Sequence, residues 1–154
     1  MSIEDRLQEL GITLPEPPAA AANYVPYVIF GNLVTIAGQV PFAEDGSLIR
    51  GKVGVDVTPE QANHAARICG LQIIAQIKAA CGGNLDRVRR IIRIGGFVNC
   101  IDGFPDQPEI INGASDLLVE VFGDKGRHSR AAVGCNSLPR NVPVEVEAMA
   151  EIKI

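Results

Sequence analysis

A chain of 154 residues with 47% apolar and 21% charged residues is long enough to bury roughly 68 to 70% of its unfolded surface in one core, which excludes intrinsic disorder and dependence on disulfides. A formal charge of -4 at pH 7 argues against a dedicated nucleic-acid binder, which needs a basic face against phosphates, so no specific nucleic acid is expected and a small metabolite or protein partner fits better. The start Met1-Ser2-Ile3-Glu4-Asp5-Arg6 lacks the features of a secretory signal, and no stretch approaches the ~18 apolar residues of a membrane span, so the expectation is a cytoplasmic protein with no membrane contact.

Ser2 is placed to cap a short helix through Leu10, with Ile3, Leu7 and Leu10 on one side and Gly11 as its end. Pro15 to Ala22 reads as an extended connector, so residues 1–23 form an N-terminal helix and connector ahead of a single domain over residues 24–154. From Tyr24 the pattern becomes strand: Val25 to Phe30, a Gly31-Asn32 turn whose residues tolerate positive φ, then Leu33 to Ala37. Gly46 marks a further turn before a short strand near Leu48 to Arg50.

Thr58-Pro59-Glu60-Gln61 combines an N-cap, a proline at the first helical position and a capping-box glutamine, predicting a helix to about Cys81. Ala62, Ala65, Ala66, Cys69, Ile73, Ile77 and Ala80 give it a face of mostly small residues before Gly82-Gly83 ends it. Val88 to Asn99, rich in β-branched residues, reads as a strand with Gly95-Gly96 marking a bulge or a close approach. Asp106 is positioned to cap a second long helix whose apolar side is Ile110, Ile111, Ala114, Leu117, Leu118 and Val121. Two strands close the chain, Arg130 to Asn136 and Val144 to Ile152, the latter alternating Val144, Val146, Ala148, Ala150 and Ile152 with Glu145, Glu147, Met149 and Glu151. This order predicts an α+β fold, a single mixed β-sheet with two helices packed on one face.

Cys69, Cys81, Cys100 and Cys135 form no C-x-x-C pair, which argues against a zinc cage and predicts free, mostly buried thiols. His64 has no second ligand at metal spacing, and His128, next to Ser129 and Arg130, lacks an elbow motif for a serine nucleophile and reads as a loop histidine. Arg87, Arg89, Arg90 and Arg93 cluster without interleaved aromatics for base stacking, as on a solvated strand edge.

The stretch Ser129-Arg130-Ala131-Ala132-Val133, then Leu138-Pro139, then Val144-Glu145-Val146-Glu147-Ala148 resembles the closing signature of the Rid (YjgF-like, also endoribonuclease L-PSP) family, in which an arginine opens a strand, Leu-Pro follows in the loop, and the next strand reads V-E-x-E-A. Gly31-Asn32 with Ala37-Gly38-Gln39-Val40-Pro41, and Phe97-Val98 with Asp102 and Phe104, are similar to the family's hairpin turn, S-G-Q-x-P segment and mid-chain strand and loop. The resemblance covers residues 24–154. It implies a chorismate-mutase-like fold, a homotrimer with intersubunit clefts, no metal and no organic cofactor, and hydrolytic deamination of enamine or imine intermediates such as 2-aminoacrylate to 2-keto acids and ammonia.

Carried over by position, Arg130 matches the arginine that holds the substrate carboxylate and Glu145 the glutamate beside the reacting carbon. Tyr24 matches a tyrosine at the cleft mouth, Gly38 falls in the segment whose backbone lines the pocket, and Ala132 stands where the family commonly has a cysteine that also contributes main-chain groups. The chain therefore resembles a divergent branch. An arginine suits a carboxylate because its planar fork makes two parallel charge-assisted hydrogen bonds, and a carboxylate near a C=N carbon can position water and move a proton. Away from the resemblance, spacing alone favours Arg130 as a surface ion-pair residue and Glu145 as part of a solvated strand face with Glu147 and Glu151. A noncatalytic metabolite-binding or chaperone-like trimer, and an endoribonuclease, stand as alternatives. The two closing strands run in opposite directions, placing Arg130 about five residues beyond the level of Glu145, on the order of 16 Å, so a shared site requires a neighbouring subunit.

Overall fold

The computed structural model describes residues 1–154, and two of its helices begin on complete capping boxes. Before α1 (Ile3–Glu9), the Ser2 hydroxyl accepts from the Asp5 N–H at 3.0 Å and the Asp5 carboxylate accepts from the Ser2 N–H at 3.2 Å. Before α2 (Pro59–Ala80), Thr58 and Gln61 exchange the corresponding bonds at 3.1 and 2.8 Å, satisfying donors that a helix start otherwise leaves free. The third long element, α3 (Gln107–Phe122), corrects an expectation: Asp106 occupies the N-cap position but its side chain makes no capping bond. Burial holds α3 instead, since Ile110, Ile111, Ala114, Leu117, Leu118 and Val121 all lie in the core and burying each large aliphatic side chain stabilises by about 1.5 to 3 kcal/mol.

The strands are β1 (Tyr27–Phe30), β2 (Leu33–Gln39), β3 (Val88–Asn99), β4 (Ser129–Cys135) and β5 (Val144–Ile152), in the spatial order β1-β2-β5-β3-β4. Only β3 and β4 pair in parallel, so the sheet is mixed and the fold is α+β. The strand expected near Leu48 to Arg50 shrinks to one bridge between Phe42 and Leu48. Gly51, at φ +131°, turns the chain away to bond the Asn141 carbonyl at 2.7 Å, and that backbone direction cannot continue a ladder.

Helices α2 and α3 cover one sheet face, meeting Val34, Ile36, Ile91, Ile94, Val98, Val144, Val146 and Ala150. They also lie close to each other, because a Cβ at Gly113 would sit 2.0 Å from the Asn63 carbonyl oxygen. Gly95-Gly96 is a close approach rather than a bulge. Gly96 faces Ile111 and Gly95 faces Glu147 on the other side, while the irregularities fall at Val88/Arg90 and Ile91/Arg93. The alternation expected in β5 holds, with Val144, Val146, Ala148, Ala150 and Ile152 buried and Glu147 exposed.

β4 and β5 flank β3 and run in opposite directions, but their offset differs from the sequence expectation. Arg130 lies level with Ile94, and Glu145 level with Phe97, three residues apart rather than five, or roughly 10 Å along the strands. The connection crosses β3 and bends through positive φ at Arg140 and Asn141, delivering β5 farther along than a symmetric turn would. Two strand spacings add roughly 10 Å across the sheet.

Candidate functional site

The residues singled out in the sequence divide into two groups, one on each sheet face. The first is built on the end of β2 and the start of β5. Gly38 and Glu145 are in such close apposition that a Cβ on Gly38 would lie 2.1 Å from Glu145 Oε2, so the missing side chain is what makes room for the carboxylate. Tyr24 and Gly38 line one cavity with Gln39, Phe42 and Arg140, of about 90 Å³. That is smaller than the roughly 300 Å³ at which small-molecule pockets begin. Burial, and secondly the neighbouring Glu147, raise the Glu145 carboxyl above the ordinary carboxylate range, because both disfavour its charged form.

The second group lies on the helix face of edge strand β4. Arg130 is half-buried and forms no ion pair. Its Nη1 donates to Ser115 Oγ at 3.0 Å and its Nη2 to the Pro108 carbonyl at 3.3 Å, both on α3. The surface-ion-pair reading of Arg130 is therefore not what the fold shows. Ala132, two residues on, points the same way and packs against the core. The sheet separates this group from Glu145 within the chain, in addition to roughly 14 Å of in-plane offset.

His128 lies in the loop before β4 as expected, but it is not idle. Its Nδ1 faces the Gly126 carbonyl at 2.6 Å and its Nε2 faces Ser115 Oγ at 2.9 Å. Burial lowers its pKa, and the positive charge of Arg130 adds to that direction. Sequence reasoning missed Ser115, since a hydroxyl inside a helix carries no motif, and it missed Arg140, which reaches the cavity from a backbone at φ 56°.

Three of the four clustered arginines are turned to main-chain acceptors, and Arg89 is exposed. Arg87 donates to the Lys153 and Cys81 carbonyls, Arg90 to that of Arg127, and Arg93 to that of Ile94. β4 begins opposite Arg93, leaving the first part of β3 along an open edge. His64 is exposed on α2. No group of three or more His, Cys, Asp or Glu side chains is placed to hold a metal ion. The four thiols are free, three of them buried, and burial pushes that of Cys69 far up. No helix is long and apolar enough to cross a membrane.

A family model described as "YjgF/chorismate_mutase-like, putative endoribonuclease" matches residues 4–152, taking in the N-terminal helix as well as the strands. Protein TCP17 of Trypanosoma cruzi is 44% identical over 147 residues, covering 95% of this chain and 91% of that protein. The crystal structure of Atu1372 from Agrobacterium tumefaciens, a protein described as of unknown function, superposes with a TM-score of 0.90 at 49% identity, covering 99% of this chain and 94% of that one. RidA from the Antarctic bacterium Psychrobacter sp. PAMC 21119 superposes with a TM-score of 0.62 at 25% identity over 91% of this chain and 98% of that one.

Proposed function

Because the chain belongs to the YjgF/chorismate-mutase-like, or Rid, family, we propose that it hydrolyses enamine or imine intermediates derived from amino acids, such as 2-aminoacrylate, to 2-keto acids and ammonia in clefts between the subunits of a homotrimer. The observation that carries this reading is Arg130, a half-buried guanidinium with neutral partners only. Two of its five N–H groups are used, leaving positive charge and donors for a ligand carboxylate, a charge-assisted interaction of about 1.5 to 3 kcal/mol.

The second requirement is a group that can hold water at the C=N carbon and exchange a proton with it. Glu145 is suited because burial raises its carboxyl toward working pH. It takes a proton from water as the oxygen adds to carbon, and a proton returned to nitrogen lets ammonia leave as the C=O forms. Since the sheet separates Arg130 from Glu145 inside one chain, one cleft with both residues takes Arg130 and Ala132 from one subunit and Glu145, Gly38 and Tyr24 from the next. Closed cyclic symmetry is the usual way to repeat such a contact.

The test generates 2-aminoacrylate and 2-iminobutyrate in situ and follows keto-acid release. Native protein should accelerate release and Arg130→Ala, folded by circular dichroism, should not; equal rates overturn the reading. Ala132, where the family commonly has cysteine, favours the noncatalytic alternative, a metabolite-binding trimer. Glu145→Gln separates the two, because an enzyme loses turnover with ligand affinity nearly preserved, whereas a binding protein has no turnover to lose. Three of the four clustered arginines, Arg87, Arg90 and Arg93, are bound to carbonyls, which gives the endoribonuclease alternative no support.

A further inference from the structure

Behind Arg130 runs a chain of hydrogen bonds whose polarity is fixed at both ends. The Gly126 carbonyl can only accept, so His128 Nδ1 carries a proton and donates it at 2.6 Å. The Arg130 guanidinium can only donate, so Ser115 Oγ accepts from Nη1 at 3.0 Å. The hydroxyl proton of Ser115 is then free to go to His128 Nε2, 2.9 Å away, and a neutral imidazole with a bare Nε2 satisfies every atom. Three elements meet in this chain: the turn after α3 supplies Gly126, α3 supplies Ser115 and Pro108, and β4 supplies Arg130.

We propose that Ser115 and His128 are positioning residues of the cleft: the imidazole orients the Ser115 hydroxyl, and the hydroxyl, with the Pro108 carbonyl, fixes the Arg130 guanidinium in the orientation that receives the ligand carboxylate. This rests on the reading of Arg130 as the carboxylate-binding residue. Arginine side chains are long and lose rotamer freedom when they bind, so a guanidinium already held by two neutral acceptors meets its ligand with part of that cost removed. Neutral acceptors also leave the positive charge uncompensated, as a carboxylate partner would not.

The arrangement depends on the charge of His128. A protonated imidazole presents N–H at Nε2, so the Ser115 hydroxyl loses its acceptor and must turn its own proton elsewhere, and a second positive charge sits beside Arg130. The other charged groups on the surrounding elements are engaged or turned outward. Asp124 and Arg127 pair with each other at 3.3 Å, Arg90 of β3 holds the Arg127 carbonyl, Arg93 holds that of Ile94, and Glu120 of α3 pairs with Arg67. Glu109, Asp116 and Lys125 are exposed. Burial and Arg130 hold His128 below its ordinary pKa, so the neutral form persists through neutrality and is lost only as pH falls below about 6.5.

The experiment measures 2-oxobutyrate affinity by calorimetry between pH 7.5 and about pH 5 for the native protein, Ser115→Ala, Ser115→Thr, His128→Gln and Arg130→Ala, each checked for folding by circular dichroism. Native affinity should fall roughly tenfold across that range, and His128→Gln, which cannot titrate, should lose most of that fall. Ser115→Ala should bind about five- to tenfold more weakly at pH 7.5, and Ser115→Thr, which restores the hydroxyl, should recover it. Native-like affinity in Ser115→Ala, or an unchanged acid decline in His128→Gln, overturns the positioning role while loss of binding in Arg130→Ala leaves the carboxylate reading standing. Native-like binding by Arg130→Ala overturns both.

Discussion

Gly38→Ala separates the cost of moving a side chain from the cost of moving a backbone. An ideal Cβ at this position lies 2.1 Å from Glu145 Oε2 and 2.9 Å from its Cδ, against an ordinary contact distance beginning at 3.4 Å, so the carboxylate must retreat by more than about 1 Å. Gly38 does not have positive φ. Alanine therefore fits its backbone and narrows the unfolded ensemble, a gain of about 0.4 to 1 kcal/mol, which offsets the roughly 0.5 to 1.5 kcal/mol of an off-rotamer Glu145. Net stability should change by less than about 1 kcal/mol, whereas a 1 Å displacement of a reacting group costs on the order of 10²-fold in rate. Gly113→Ala is the control: its Cβ would meet the Asn63 carbonyl at 2.0 Å, forcing α2 and α3 apart at a cost of about 1 to 3 kcal/mol or more. Chemical denaturation and keto-acid release are measured on both variants. The reasoning is refuted if Gly38→Ala keeps full activity, or if it is destabilised as much as Gly113→Ala.

Three other perturbations have defined outcomes. Glu145, raised above its unfolded pKa by burial and Glu147, costs stability as pH rises from about 4.3, the unfolded value, through the folded one. Glu145→Gln should therefore melt above the native protein at pH 7, with the gap closing by about pH 3.5; a gap of constant size contradicts burial as its cause. Lys52→Met removes the donor that Nζ supplies to Asn99 Oδ1 and the Asn136 carbonyl, both at 2.6 Å. It should lower unfolding free energy by about 1 to 3 kcal/mol with an unchanged denaturant slope, and unchanged stability would show that these bonds contribute nothing net. RNA association should vanish by about 0.15 M salt, and metal-independent cleavage by nuclease-free protein at that salt would contradict the metabolite reading.

What the sequence disclosed followed from repetition. Val88–Asn99 and Val144–Ile152 are strands over the residues expected, the first because it is rich in the β-branched residues Val88, Ile91, Ile92, Ile94 and Val98, and the second because apolar residues alternate with polar ones at every position but Met149. The short strand near Leu48 failed because a single backbone contact, from Gly51 to Asn141, redirects the chain, and nothing local announces it. Asp106 shows the same limit, having the right residue type at a cap position where no capping bond forms. The apposition of Gly38 and Glu145 joins positions more than a hundred residues apart; the resemblance pointed to each residue separately and not to their contact. The Ser115–His128 contact joins a helix interior to a loop, and periodicity assigned Ser115 no role because it assigns roles to faces, not to single hydroxyls.

The central claim is that Arg130 and Glu145 act in one cleft from different subunits. Arg130→Ala and Glu145→Gln proteins are each inactive under that claim, and they are mixed in equal amounts, dissociated and reassociated, with mixing verified by native mass spectrometry. In a cyclic trimer each cleft takes its arginine from one subunit and its glutamate from the next, so random reassembly gives both intact residues to about a quarter of the clefts. Recovery of about a quarter of native keto-acid release supports the shared site. Verified mixed trimers with no recovery place both residues in the service of a single chain and contradict it.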